Sequence, residues 1–314
     1  MKCRPLGRND LHVSEVALGT AALGMDYGIE VPTDFGRPNE ADVIKLLQEA
    51  ADAGVNLFDT APTYGESERL LGLALGRRSG CMVATKVSVP RDPKGQALHG
   101  SALEQAVEGS IERSLKMLRR DVSDIVQIHN ATEDVIKHGE MTKVLLKAQR
   151  LGKLRFLGAS VYTEAQALAV IKAGCFSVLQ VGYSVLDQRM ATRVFPAARE
   201  AGMGLIARSV LLKGALTPKV QWLPAELGEL RQAAEQARDT LAGSWEALPA
   251  VALRFCLSSP HVATVLVGAR TTEELNQALA AAEAGALSGE LLARTSALAV
   301  RDDRLVNPGY WPVA

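Results

Sequence analysis

Short apolar runs alternate with amphipathic segments along the whole sequence. The apolar runs are typical of buried strands and cover residues 13–20, 55–59, 82–87, 124–129, 154–160, 178–184, 204–209 and 263–268. The segments between them repeat apolar residues every three or four positions, which is the period of a helix. They predict helices that begin near residues 39 and 66, and helices over residues 101–119, 140–151, 163–173, 189–201, 248–257 and 271–284.

The strand candidates are continuous apolar runs, which are typical of parallel strands covered on both faces. With the strand–helix alternation they predict an α/β fold, a single (β/α)8 TIM barrel domain over residues 1–314. Gly7 and Asn9-Asp10 predict the turn of an N-terminal β-hairpin. Segments 225–241 and 288–300 predict extra helices toward the C-terminus. An open doubly wound sheet is the alternative, but residues 17–24, ALGTAALG, lack the GxGxxG spacing of its dinucleotide-binding turn.

The charge and cysteine content exclude several classes of function. The 35 basic residues are balanced by 35 acidic ones, so no basic field is available for nucleic acid or an anionic membrane. The four cysteines are far apart and no Cys/His spacing suits zinc, so no metal site is predicted. No apolar run reaches the length of a membrane span, and the N-terminus lacks the apolar core of a signal peptide. We therefore expect a soluble, cytoplasmic protein with reduced thiols.

Four residues that can carry chemistry lie where predicted strands end. Asp59, Lys86 and His129 follow aliphatic runs, and Tyr64 lies in the loop after Asp59. Each has a structural alternative. An Asp can bond a turn, a Tyr in a loop can be a packed surface residue, a Lys can extend to solvent and a His can be a satisfied core residue. In a barrel, however, the carboxyl ends of all strands face one cavity, where active sites lie. The sequence therefore predicts that these four side chains converge.

The chemistry of the four residues is coherent. A phenol is a weak acid at neutral pH, and a neighbouring ammonium group makes it a better one. Asp59 would keep Lys86 charged and oriented, and His129 would orient a carbonyl oxygen by a hydrogen bond. This set can give a proton to a carbonyl group while hydride arrives from elsewhere. No side chain donates hydride, so the set requires a nicotinamide cofactor.

The segments that carry these residues resemble those of the aldo-keto reductases. DTAPTYGESE at residues 59–68, ATKV at 84–87 and QIHN at 127–130 match the family's catalytic Asp and Tyr, Lys and His in the right order, and the likeness spans nearly the whole chain. The resemblance implies that Tyr64 is the general acid, that Lys86 and Asp59 tune it, and that His129 orients the carbonyl group. It also implies a small-molecule carbonyl substrate.

The resemblance implies cofactor contacts as well, on segments that match the family's nicotinamide, pyrophosphate and adenosine contacts. The implied residues are Gly19, Thr20, Asp59, Ser160, Gln180, Arg208, Ser209, Leu211, Gly268, Arg270, Thr271 and Gln277. The family's usual Asn after Ser160 is Val161 here. Because Arg270 matches a basic residue that contacts the 2′-phosphate, we expect NADPH as the cofactor, with NADH as the alternative.

Two departures from the family pattern affect these expectations. Arg208 stands where an aromatic residue commonly stacks on the nicotinamide, and a planar guanidinium can also stack or can attract an anionic or hydroxylated substrate. Its structural alternative is an ion pair with a carboxylate. Gln277 and Ala278 replace a Glu and an Asn that usually contact the adenine, which weakens the case for NADPH.

The substrate contacts are expected from Tyr64, His129 and aromatic residues in the surrounding loops. The loop residues are Tyr27, Tyr162 and Trp222, with Tyr310 and Trp311 in the tail. The function that follows is reduction of an aldehyde, ketone or open-chain sugar. The alternatives are an NAD-linked sugar or alcohol dehydrogenase working in the oxidative direction, a non-catalytic cofactor-sensing subunit, and a barrel lyase or isomerase without nicotinamide.

Overall fold

An antiparallel hairpin precedes a closed barrel of parallel strands in the computed structural model, which describes residues 1–8, 10–32 and 35–312. The hairpin consists of β1 (Cys3–Pro5) and β2 (His12–Ser14). The barrel strands are β3 (Val16–Gly19), β4 (Leu57–Asp59), β5 (Met82–Ser88), β6 (Ser123–His129), β7 (Leu154–Ser160), β8 (Val178–Gly182), β9 (Gly204–Arg208) and β10 (Val262–Gly268). Each pairs with the next along the chain, and β10 closes the ring by pairing with β3. The predicted barrel and hairpin are confirmed.

Helices follow the strands and pack around the barrel. In chain order they are α1 (Ala21–Gly24), α2 (Glu40–Asp52), α3 (Ser67–Leu75), α4 (Gly100–Leu118), α5 (Glu133–His138), α6 (Glu140–Arg150), α7 (Glu164–Ala173), α8 (Val194–Glu200), α9 (Gly228–Leu241), α10 (Leu248–Ser258), α11 (Thr272–Glu283), α12 (Gly289–Thr295) and α13 (Asp303–Val306). Some of them begin with a side-chain cap, as does α7, where Thr163 and Gln166 form a capping box. No helix among the described residues is long and apolar enough to cross a membrane.

The hairpin closes the N-terminal end of the barrel. Leu6, Leu11 and Val13 are buried in the same apolar cluster as the innermost strand residues. Gly7, in the hairpin turn, has φ +70°, and a Cβ there would stand 2.4 Å from the backbone nitrogen of Gly204. Only glycine fits this left-handed position so close to β9. Asn9, also predicted in this turn, lies outside the described residues.

Two layers of side chains fill the barrel interior. The inner, apolar layer consists of Ala17, Leu57, Ala84, Ile125, Val178, Ile206 and Leu266. Because side chains alternate between the faces of a strand, the residue two positions further along also points inward. These residues form the polar layer, which consists of Gly19, Asp59, Lys86, Gln127, Gln180, Arg208 and Gly268. The polar layer therefore lies directly above the apolar layer, toward the carboxyl ends of the strands.

The prediction of one strand over residues 13–20 is wrong. The backbone bends at Glu15, so that β2 belongs to the hairpin and β3 to the barrel. The Ser14 hydroxyl donates to the Val16 carbonyl at 2.6 Å across this bend. Glu15 accepts from Arg4 Nε at 2.9 Å, which ties the bend to the hairpin.

Smaller differences concern helix boundaries. The helix predicted over residues 189–201 begins only at Val194, since Asp187 and Arg189 pair at 2.7 Å and the chain around them is in turns. The helix predicted over 288–300 ends at Thr295 and continues as the short 3₁₀ turn Ser296–Leu298. Helices α1 and α5 lie in segments predicted as loops.

Candidate active site

Lys86 and Asp59 form an ion pair in the polar layer. The Lys86 ammonium group donates to Asp59 Oδ1 and, at 2.9 Å, to the Thr60 carbonyl oxygen. Only 1% of the Lys86 side chain and 4% of the Asp59 side chain are exposed. Burial opposes the charge on Lys86, but the charge of Asp59, together with Tyr64, outweighs it and raises the pKa of Lys86 above its ordinary value. Lys86 is thus a buried, paired cation and does not extend to solvent.

Two glutamine amides hold the second oxygen of the Asp59 carboxylate. Gln127 Nε2 and Gln180 Nε2 donate to Asp59 Oδ2 at 3.1 Å and 2.8 Å. The position of Gly158 makes room for this arrangement, because a Cβ there would stand 3.0 Å from the Gln127 Cγ. The carboxylate is therefore fixed on both oxygens, with Oδ1 facing Lys86.

Sequence reasoning missed Gln127 and assigned Gln180 to the cofactor alone. A signal for Gln127 was present, since a Gln inside the apolar run DIVQIH needs a hydrogen-bond partner. It also lies two residues before His129, on the same face of β6.

Tyr64 lies beside this pair. Its ring centroid is 4.8 Å from Lys86 Nζ, and its ring meets the His129 ring edge to face, with centroids 5.8 Å apart and an interplanar angle of 86°. The structure thus brings all four predicted residues together, as the sequence predicted.

Hydroxyl groups tie the Tyr64 loop to the strand ends. The Ser67 hydroxyl, at the start of α3, is hydrogen-bonded to the hydroxyls of Thr20 and Thr60, the latter at 2.8 Å. Thr20 Oγ1 also donates to the Asp59 carbonyl oxygen at 2.9 Å. The Thr20 side chain, predicted to contact the cofactor, is therefore hydrogen-bonded to Asp59 and Ser67, which flank the Tyr64 loop.

His129 is an uncharged imidazole. Burial, with the charges of Lys86 and Arg208, lowers the pKa of His129 to about 3. The next residue, Asn130, has φ +53°, and its backbone N–H donates to the Ser160 hydroxyl at 3.1 Å. His129 can therefore donate one N–H to a substrate near neutral pH without adding a charge.

The loop that carries Tyr64 is pressed against α1 by two glycines. Gly65 has φ +54°, and a Cβ there would stand 2.3 Å from the Gly24 carbonyl oxygen. A Cβ on Gly24 would in turn stand 2.0 Å from the Tyr64 carbonyl oxygen. The Glu66 N–H donates to the Gly24 carbonyl at 3.1 Å across this contact. The position of Tyr64 thus depends on the absence of side chains at Gly24 and Gly65.

Replacing Gly24 by Ala should displace the Tyr64 loop. Because the new methyl group meets backbone atoms that cannot rotate away, we expect the free energy of unfolding to fall by about 1–3 kcal/mol, as for other overpacked sites. Turnover should fall more steeply than cofactor affinity. Urea denaturation and turnover would be compared with Gly228→Ala, where an added Cβ meets nothing within 4 Å. Equal stability and turnover in the two variants would contradict this role of Gly24.

The predicted pyrophosphate segment has unusual backbone conformations. Ser209, Leu212 and Lys213 have φ values of 59°, 45° and 54°, which is the left-handed region that non-glycine residues rarely adopt. Such residues cluster at ligand-binding sites. Leu211 is half-buried in the same segment.

Arg208 is held at the end of β9 by a hydroxyl group, a carbonyl group and an aromatic ring. Its Nη1 donates to the Ser209 hydroxyl at 3.1 Å and its Nη2 to the Val161 carbonyl at 2.9 Å. The guanidinium carbon lies 4.2 Å from the Tyr162 ring centroid. Among the described residues no acidic group forms an ion pair with Arg208, so the predicted ion-pair alternative finds no support. Its planar guanidinium group lies at the mouth of the barrel.

Gly19 and Gly268 leave the backbone uncovered by side chains at two neighbouring strand ends. They are directly paired in the β10–β3 register, and an added Cβ on Gly268 would meet nothing within 4 Å. Beyond Gly268, Thr271 caps α11 by accepting from the Glu274 N–H at 3.1 Å. Arg270 Nη1 donates to the Gly36 carbonyl at 3.0 Å, and Gln277 is exposed on α11.

The predicted mouth residues separate into two groups. Tyr27 and Tyr162 lie near the four central residues. Desolvation, together with the neighbouring Tyr64 and Tyr162, raises the pKa of Tyr27, and the charge of Arg208 opposes this rise. Gly309 of the tail packs beside Tyr162, since a Cβ there would stand 3.6 Å from the tyrosine Cζ.

Trp222 lines a surface cavity, and the tail aromatics Tyr310 and Trp311 differ in burial. Trp222 lines a surface cavity of about 440 Å³ with Gly28, Phe35 and Pro224, and none of the four central residues lines it. Trp311 is buried and its indole N–H donates to the Leu305 carbonyl at 3.1 Å, whereas Tyr310 is exposed. Trp222 therefore lies on the wall of a cavity that Tyr64 does not line.

Comparisons with known proteins agree on one family. The model of the Aldo/keto reductase family matches residues 15–299. L-galactose dehydrogenase of Arabidopsis thaliana is 29% identical, over 90% of this chain and 88% of its own. The NADH-specific methylglyoxal reductase of Escherichia coli (strain K12) is 27% identical, over 90% of this chain and 93% of its own. The solved holo form of aldo-keto reductase AKR11C1 from Bacillus halodurans has a TM-score of 0.80 and 28% identity, covering 96% of this chain and 97% of that one.

Proposed function

This chain belongs to the aldo-keto reductase family, and from that premise we propose that it reduces an aldehyde or ketone, including sugar-like carbonyl compounds, to the alcohol with Tyr64 as the proton donor. The observation that carries the proposal is the position of Lys86. Its ammonium group is buried, is paired with Asp59 and lies 4.8 Å from the Tyr64 ring. A buried cation beside a phenol favours the form of that phenol that has lost its proton.

The residues present at the barrel mouth suit a nicotinamide cofactor. Gly19 and Gly268 leave the backbone open over two adjacent strand ends, so a flat or extended ligand can approach it closely. Ser160 and Gln180 would provide hydrogen bonds for the carboxamide, and the segment with Ser209 and Leu211 would follow the pyrophosphate. Arg208 would supply a planar cation near the nicotinamide ring.

Each side chain of the site has a separate task in this proposal. When bound, the reduced nicotinamide supplies the hydride. Tyr64 gives its proton to the substrate oxygen, and Lys86 stabilises the phenolate that remains. Asp59, fixed by its hydrogen bonds to Gln127 and Gln180, keeps Lys86 charged and in place. His129, which is neutral, donates an N–H to the same oxygen and so orients the carbonyl group.

The same residues can work in the oxidative direction. A Tyr64 phenolate stabilised by Lys86 is a base that can take the proton of an alcohol, by microscopic reversibility. The similarity to an L-galactose dehydrogenase favours oxidation of a sugar as the second candidate function.

The proposal predicts cofactor-dependent turnover on a panel of carbonyl compounds. We expect the purified protein to consume NADH or NADPH in the presence of methylglyoxal, short aldehydes or aldoses, and to reduce NAD(P)⁺ with sugars at alkaline pH. The measurement is absorbance at the wavelength of the reduced nicotinamide, with boiled protein as the control. Tight cofactor binding without turnover on any compound would favour a non-catalytic, cofactor-sensing role.

A further inference from the structure

The N-terminus of α11 is occupied by a carboxylate of the chain itself. Glu274, in the first turn, accepts from the backbone N–H of Arg270 at 2.7 Å. The backbone N–H of Glu274 is bonded to the Thr271 hydroxyl. Helix N-termini attract anions through the N–H groups of the first turn and the helix dipole. Here the side chain of Glu274 already provides the negative charge that a bound phosphate would provide.

Arg270 is also engaged. Besides the N–H given to Glu274, its guanidinium group donates through Nη1 to the Gly36 carbonyl at 3.0 Å. Nη1, one of the guanidinium nitrogens that could bind a phosphate, is thus directed to a backbone oxygen. A bound 2′-phosphate would compete with the Gly36 carbonyl for Nη1 and would lie beside the Glu274 carboxylate.

Further acidic groups surround the same turn. The Thr272 hydroxyl donates to Glu49, and Gln277 Nε2 donates to Glu273 at 2.9 Å. Lys45 Nζ lies 3.7 Å from Glu49. The carboxylates of Glu49, Glu273 and Glu274 therefore contact the turn to which the resemblance assigns the adenosine ribose.

We propose that Glu274 makes this site select NADH, whose ribose carries a free 2′-hydroxyl, over NADPH. This inference rests on the proposed function. A carboxylate accepts a hydrogen bond from a ribose 2′-hydroxyl, as in dinucleotide-binding folds that use NAD, and it repels a phosphate at the same position. The expectation of NADPH from the sequence rested on Arg270 alone, whereas the contacts of Arg270 and Glu274 favour NADH.

Direct binding of the two cofactors to the full chain tests the proposal. Isothermal titration calorimetry would measure NADH and NADPH with the wild type, Glu274→Gln and Glu290→Gln. The Gln variant at 274 keeps an oxygen for the Arg270 N–H and removes only the charge. Glu290→Gln removes the same charge from the first turn of α12 and serves as the control for net charge.

We expect the wild type to bind NADH at least about tenfold more tightly than NADPH, because the 2′-phosphate and the Glu274 carboxylate are like charges. Glu274→Gln should tighten NADPH binding about tenfold, whereas Glu290→Gln should bind both cofactors as the wild type does. Stronger wild-type binding of NADPH, or an unaltered NADPH/NADH ratio in Glu274→Gln, would overturn the proposal and leave the proposed function standing. Absence of binding by either cofactor would overturn the proposed function itself.

Discussion

Replacing Tyr64 by Phe should lower kcat about a thousandfold, since general acid–base catalysis typically contributes 10²–10⁴ in rate. The change removes the hydroxyl group and keeps the ring that packs against His129. Affinity for the reduced cofactor should stay within about twofold, because the hydroxyl is a transition-state contact and not a ground-state one. Steady-state kinetics and calorimetry on the same preparation would measure the two effects separately.

The matched control for this change is Tyr183→Phe. Tyr183 is buried against Phe195 and Phe255, away from the polar layer, and has no role in the proposed chemistry. We expect Tyr183→Phe to retain wild-type turnover. Undiminished turnover in Tyr64→Phe would remove Tyr64 as the proton donor, even if the protein were confirmed as a carbonyl reductase.

Replacing Lys86 by Met should lower both stability and turnover. It leaves the buried Asp59 carboxylate with amide donors only, and breaking a buried ion pair in this way typically costs about 3–5 kcal/mol of unfolding free energy. The ammonium group that stabilises a phenolate on Tyr64 is lost as well, so we expect kcat to fall by at least about a hundredfold. Urea denaturation and turnover, measured near pH 7, would quantify both losses.

A double variant separates the structural effect from the chemical one. Lys86→Met combined with Asp59→Asn removes both charges, and the carbonyl of the new amide side chain can still accept from Gln127 or Gln180. We expect the double variant to regain most of the lost stability, because no unpaired charge stays buried. Turnover should stay low. Recovery of turnover together with stability would show that the pair only supports the fold.

Much of the fold and the centre of the site followed from the sequence. The apolar runs marked the barrel strands because strands covered on both faces must be apolar throughout. The same property made Asp59, Lys86 and His129 conspicuous, since a charged or polar residue in such a run needs a partner. Their convergence followed from the barrel alone, because its strands all end at one rim.

Other features depend on contacts between distant segments, which no local pattern specifies. The hydrogen bonds from Gln127 and Gln180 to Asp59 join three strands. The bend at Glu15 depends on a hydrogen bond from Arg4 in the hairpin. The position of Trp222 depends on how the long insertion that contains it folds. At α11, Arg270 predicted a phosphate site, but the contact of its guanidinium group with the distant Gly36 carbonyl could not be predicted from the local sequence.

The two layers inside the barrel restrict the path by which protons can reach Tyr64. Among the described residues, aliphatic groups fill the barrel below the polar layer, and Leu6, Leu11 and Val13 cover its far end, which disfavours entry of water or buffer from that side. After Tyr64 has given its proton to the substrate, it would therefore be reprotonated through the opening by which substrate enters. Reprotonation and departure of the alcohol would then share one passage, and the next cycle could begin only after that passage has been cleared.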